Sequence, residues 1–107
     1  MLKFDHLPEE NKLVCIFSGS INTVVCAELA PEIDKMLNGI AGGEAVPEQL
    51  QVVFDLGEVA FVASSFIRIS MNTAKKLTPG NFSIVNCNPF IKKTLKIVGL
   101  DDLLHVC

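Results

Sequence analysis

The sequence predicts one α/β domain across residues 1–107, built on a mixed, mostly parallel sheet of four to five strands with helices packed on it. Three observations lead there. Apolar runs of strand length alternate with stretches of helical periodicity, the pattern of parallel strands joined by right-handed crossovers. Two strand-like segments near the start, LKFDHL and LVCIF, are joined by the turn PEEN, so the sheet opens with an antiparallel hairpin. The chain has 107 residues, half of them apolar, enough for one core and too few for two.

Each element can be justified in order. LVCIF at 13–17 is apolar at every position, as a strand covered on both faces or a central strand is. SGS at 18–20 breaks that run. Residues 23–38 read as a helix. Val25, Leu29, Ile33, Met36 and Ile40 recur at three- and four-residue steps, with Glu28, Glu32 and Lys35 on other faces. Asn22 or Thr23 suits its N-cap. Pro31 would remove a hydrogen bond, which predicts either two pieces or a helix starting near Ala30. NGIAGGEAVPEQ at 38–49, with three glycines and a proline, reads as a surface loop.

LQVVFDL at 50–56 is the next strand, with Asp55 near its end, and GEVAFV continues it in irregular or extended form. Residues 65–77 form the second helix, with Ile67, Met71, Ala74 and Leu77 as its buried stripe and Arg68, Asn72, Lys75 and Lys76 mostly off it. Lys75 and Lys76 suit the last turn, where the helix dipole favours cations. TPGN turns the chain into FSIVNC at 82–87. Asn88 then caps a third helix whose first residue is Pro89 and whose buried stripe is Ile91, Leu95 and Val98, with Gly99 as its C-cap. A short strand, LLHV, closes the chain.

Several functions fail on composition and spacing. The net charge is −3, and the nine Lys and Arg are scattered apart from Lys92, Lys93 and Lys96, which argues against nucleic acid as the partner. No apolar run approaches the ~20 residues of a membrane helix, and the polar start MLKFDHLPEEN is not a signal peptide. Cys15, Cys26, Cys87 and Cys107 contain no C-x-x-C, so with His6 and His105 they do not make a zinc module. They read as reduced structural thiols of a cytoplasmic protein, and neither metal nor cofactor is expected. The glycine loop cannot cradle a nucleotide phosphate: Glu44, not Lys, follows Gly43, and a helix rather than a strand precedes the loop.

In open α/β sheets, ligands and partners gather where strands end and helices begin. Here those places are SGSIN at 18–22, VASSF at 62–66 and NCNP at 86–89. Ser64 and Ser65 occupy the middle one. A nucleophilic serine would need a G-x-S-x-G turn and a histidine base. The neighbours are Ala63 and Phe66, and His6 and His105 lie on terminal strands. Asp55 and Glu58 are too close in one segment to act as a converging acid and base. The reading is non-enzymatic. As N-caps, the serines would satisfy a free backbone N–H, worth ~1 kcal/mol. As phosphoacceptors, they would place roughly −1.5 to −2 charges where helix N–H groups converge, altering docking and not folding, with Arg68 one turn on as a pairing cation.

The FDL strand, the ASSF helix start, the GSI turn at 19–21 and the tail IVGLDDLLHV together resemble the STAS domain of sulfate transporters and anti-sigma factor antagonists, over about residues 4–106. In the antagonists the helix start reads Asp-Ser-Ser-Gly or a close variant, and the second hydroxyl residue is phosphorylated by an ATP-dependent kinase that is also an anti-sigma factor. The resemblance therefore implies Ser65 as phosphoacceptor, with Ser64 the alternative. The partner it implies is an anti-sigma factor or serine kinase. The expected contact surface comprises Ser20, Ile21, Asn22, Ala63, Ser64, Ser65, Phe66 and Arg68. Ala63 stands where the motif has its acid, and Phe66 where it has its glycine. Phe66 is then an apolar anchor for a partner or a core residue. Two further roles stay open: a phosphorylation-independent STAS module of a signalling or lipid-transport complex, and a small-ligand-binding STAS domain.

Overall fold

In a computed structural model, which describes residues 2–42 and 47–97, the elements follow the expected order. Strand β1 (Leu2–Leu7) turns through a single 3₁₀ turn at Pro8–Glu10 into β2 (Lys12–Ile21). Asn11 completes that turn in the left-handed region, at φ 52°, which asparagine tolerates better than most residues. Helix α1 (Thr23–Ala41), strand β3 (Gln51–Val62), helix α2 (Ser64–Lys75), strand β4 (Phe82–Val85) and helix α3 (Pro89–Ile97) follow. The sheet order is β1-β2-β3-β4. β1 is antiparallel to β2, and the other two pairings are parallel. The LLHV strand, Val98 and the Gly99 cap lie outside the described residues.

Three expectations are corrected. First, Pro31 does not divide α1, which runs unbroken from Thr23 to Ala41. Pro31 and Ala27, whose carbonyl loses its helical donor, are both exposed, so water can replace the missing bond. Second, α1 extends beyond residue 38 through Gly39 and ends on Gly42, whose φ of 64° suits glycine and whose N–H donates to the Asn38 carbonyl. Third, SGS does not end β2; the strand runs on to Ile21.

GEVAFV continues the strand in extended, bulged form as expected, and β3 spans 12 residues. It keeps pace with β2 through two bulges. Ile16 faces Asp55 and Ser18 faces Glu58; then Gly19 faces Val59 and Ser20 faces Phe61. Each bulge adds one residue to β3. The buried residues of β3 are accordingly spaced by two at Val52, Phe54 and Leu56, then by three at Val59 and Val62. Each bulge absorbs its extra residue locally, so the inward side chains of β3 stay in step with those of β2. Gly57 lies at the first bulge. Its N–H donates to Asp55 Oδ1 at 2.9 Å, and a Cβ there would come within 3.2 Å of that oxygen.

The core lies between one face of the sheet and the helices. Strands contribute Leu13, Cys15, Phe17, Ile21, Val52, Phe54, Leu56, Phe82 and Ile84; α1 contributes Cys26, Leu29, Ile33 and Leu37. Its centre is aromatic. Phe17 and Phe54 meet edge to face at 4.9 Å, and Phe54 meets Phe82 the same way at 4.8 Å. Fully burying each such side chain contributes about 1.5–3 kcal/mol.

The buried line of α2 is Phe66, Ser70 and Thr73, continued by Leu77 just past its end. This is one residue ahead of the Ile67–Met71–Ala74 stripe, whose members are only half-buried. Two hydroxyl residues can face the core because each bonds back to its own helix: Ser70 Oγ donates to the Phe66 carbonyl at 3.1 Å, and Thr73 Oγ1 to the Ile69 carbonyl at 2.9 Å. Asn88 caps α3 as expected, accepting from the Ile91 N–H at 2.8 Å. Its amide also donates to the carbonyls of Val59 and Ala60, at 3.1 and 3.3 Å. That fastens the start of α3 to the stretch of β3 beyond the end of β4.

Candidate functional site

Parallel strands β2 and β3 end side by side, with Ile21 opposite Val62. The Ala63 N–H donates to the Ile21 carbonyl at 2.8 Å, so the turn into α1 and the turn into α2 are held against each other. Ser20-Ile21-Asn22 and Ala63-Ser64-Ser65, far apart in sequence, become neighbours at the carboxyl ends of the strands.

Ser20, Asn22, Ser64 and Arg68 are exposed there, and Ala63 and Ser65 are half-buried. Asn22 is already engaged, its Oδ1 accepting the Val25 N–H at 2.9 Å as the cap of α1. Arg68 makes no ion pair or hydrogen bond through its side chain among the described residues. Two expected surface residues are corrected. Ile21 is fully buried, and Phe66 is 1 % exposed, its ring 5.2 Å from Phe17 and 5.8 Å from Phe54. Neither side chain is available to a docking protein. Phe66 is a core residue, and the anchor role falls away.

The serines are not caps. Ala63, extended at φ −80° and ψ 163°, is the cap residue and has no side chain to bond with; Ser64 and Ser65 are the first two helical residues. The first turn closes on the backbone alone, the Phe66 N–H donating to the Ala63 carbonyl at 3.0 Å. No acidic residue lies in that turn, so no carboxylate there offsets the positive end of the helix dipole. The two hydroxyls differ. Ser64 is exposed, whereas Ser65 Oγ has under 1 Å² of accessible surface and no hydrogen-bond partner among the described residues. Sequence reasoning could not separate them. The available signal was the spacing of Phe66, Ser70 and Thr73, which turns position 66 inward once the hydroxyls are seen to bond to their own helix.

The other polar residues considered from sequence stand apart from this surface or serve the fold. Asp55 lies mid-strand, its Oδ1 accepting from the Gly57 N–H and, at 3.2 Å, from Asn86 Nδ2. Glu58 is exposed on β3, and His6 is exposed on edge strand β1. His105 lies outside the described residues. Burial raises the Cys15 thiol from 9.0 to about 12, which keeps it protonated and unreactive. Among the described residues no group of three or more His, Cys, Asp or Glu could hold a metal ion, and no helix is long and apolar enough to cross a membrane.

A mixed four-stranded sheet opened by a hairpin, with helices entered from adjacent strand ends, is the STAS fold, that of the anti-sigma factor antagonists. Three solved structures that it resembles are of that kind. An anti-sigma factor antagonist from Mycobacterium paratuberculosis superimposes with a TM-score of 0.79 at 22 % identity, over 99 % of this chain and 83 % of that one. The Bacillus cell fate determinant SpoIIAA in its phosphorylated form gives 0.66 at 12 % identity, over 100 % and 91 %. The anti-sigma factor antagonist SpoIIAA in its unphosphorylated form gives 0.63 at 10 %, over 91 % and 83 %. At such identities the likeness is one of fold. By sequence, no family and no curated protein matches the chain.

Proposed function

We propose that this protein is a non-enzymatic cytoplasmic regulator that binds another protein through the start of α2, in the manner of an anti-sigma factor antagonist. One observation carries the reading. In a fold shared with SpoIIAA, known in phosphorylated and unphosphorylated forms, an exposed serine opens α2 beside the end of β2. The partner that suits it is an anti-sigma factor that is also an ATP-dependent serine kinase. The contact surface is Ser20, Asn22, Ala63, Ser64 and Arg68, with Ser65 beneath it.

A phosphate at this turn would meet backbone N–H groups and a helix dipole unopposed by local acid, so the domain would tolerate it. The docking face would gain two negative charges or nearly so. Exposure favours Ser64 as the acceptor; Ser65, the acceptor by motif position, must first turn its hydroxyl outward. Phosphopeptide mass spectrometry on protein from its native cell tests the switch, with phosphate expected at Ser64 or Ser65. Ser64→Asp and Ser65→Asp should weaken binding to the cognate kinase and leave the circular dichroism spectrum unchanged. Binding indifferent to both charges would refute the switch.

A second reading has its own support: Ala63 replaces the acid of the motif, and Ser65 Oγ is enclosed. A phosphorylation-independent docking module would carry no phosphate in the cell. It would also bind its partner equally well as Ser64→Ala and Ser65→Ala.

A further inference from the structure

Among the described residues, strand β1 is the outer strand of the sheet, paired on one side only, with β2. An uncovered strand edge is a template for another strand, and proteins usually blunt it with proline, a bulge or charges that tolerate no partner. β1 has neither proline nor a break in its register from Leu2 to Leu7. Its charges are arranged differently from a simple block. Lys3 and Asp5 are both exposed and share one face of the strand. On the opposite face, Leu2, Phe4 and His6 line a groove of about 600 Å³ against Glu32, Lys35, Met36, Gly39 and Ile40 of α1.

We infer that β1 is a self-association edge, at which two copies of this chain pair β1 with β1, antiparallel, about a twofold axis at Phe4. The register follows from charge. Directly opposed residues share a face, so about a twofold perpendicular to the sheet odd-numbered residues meet odd and even meet even. An axis at Lys3 sets Lys3 against Lys3, and one at Asp5 sets Asp5 against Asp5. The axis at Phe4 sets Lys3 against Asp5 of the second copy, twice by symmetry. It also sets Phe4 against Phe4 and Leu2 against His6, joining the two grooves into one apolar seam. The α1 flank of that groove carries one anion and one cation, Glu32 and Lys35, and so does not repel its own copy. No residue of β1 belongs to the proposed docking surface, and β2 separates it from the turn between β3 and α2, so this pairing stands or falls independently of the proposed docking function.

Sedimentation velocity on the full chain, from micromolar to near-millimolar concentration, tests it. The wild type should dimerise. Lys3→Asp and Asp5→Lys should each weaken the dimer by about tenfold or more, since either one turns both cross-axis pairs repulsive. The double variant Lys3→Asp/Asp5→Lys should recover it to within about threefold of wild type. Both side chains are exposed, and circular dichroism on each variant checks that the fold is kept. A wild type monomeric throughout would overturn the inference. So would a dimer that either reversal leaves intact, or one that the double reversal fails to restore.

Discussion

Replacing Phe66 by alanine separates a docking residue from a core residue. The ring is 1 % exposed and packs edge-on against Phe17 at 5.2 Å, with Phe54 at 5.8 Å. Its removal loses the transfer free energy of a full phenyl group and leaves a cavity at the aromatic centre, together about 3–5 kcal/mol. The two ring pairs lost are part of that figure, at about 0.5–1.5 kcal/mol each. Against a total stability of about 5–15 kcal/mol the loss is severe. Urea unfolding followed by circular dichroism reads it directly. At a slope of about 1–2 kcal/mol per molar, the midpoint should fall by about 1.5 M or more. Phe61→Ala is the control, because that ring is 44 % exposed; its cost should stay near 1 kcal/mol or below. If Phe66→Ala costs no more than Phe61→Ala, the inward placement of α2 is wrong.

Three further outcomes are expected. Pro31→Ala, which restores an N–H for the Ala27 carbonyl in the middle of α1, should raise stability by about 1 kcal/mol or more; thermal unfolding checks it, and a loss would mean that the helix needs the proline. Asn88→Ala should cost about 2 kcal/mol against about 1 for Asn22→Ala, because Asn88 caps α3 and also holds the carbonyls of Val59 and Ala60; equal losses in chemical denaturation would deny that second role. Cys15 gives a pH dependence. Its folded value is raised, so the unfolded chain loses the proton first; stability should hold below pH 9 and decline from there towards pH 12, by at most about 1.4 kcal/mol per unit. The wild type should therefore show a steeper decline than Cys15→Ala, and parallel curves would refute the burial argument.

Helix and strand order was legible because the apolar periods were strong and the punctuation was chemically specific. PEEN, Asn22, and Asn88 followed by Pro89 each do in the structure what their side chains favour. What could not be read were places where tertiary packing overrides a local signal. Pro31 reads as a breaker, and only its position on the exposed side of α1 makes it tolerable. SGS and GEVAFV lack the plain alternation of a strand because bulges shift the phase of β3. At the candidate site, the serine pair and its proximity to Ser20 and Asn22 followed from strand–helix alternation. The difference between an open Ser64 and an enclosed Ser65 did not, because it depends on how α2 is rotated about its axis. Ser70 and Thr73 look polar in sequence and hide that rotation.

The bulges set where β3 can change length. Losing the extra residue of either bulge would restore plain alternation at that point and leave Val59 and Val62 on the inner side. Losing one residue from the evenly alternating stretch Val52–Leu56 would instead turn the downstream residues over, sending inner side chains towards solvent and twisting the entry to α2 with them. Length variation among natural or engineered versions of this strand should accordingly fall at the two bulges, one residue at a time.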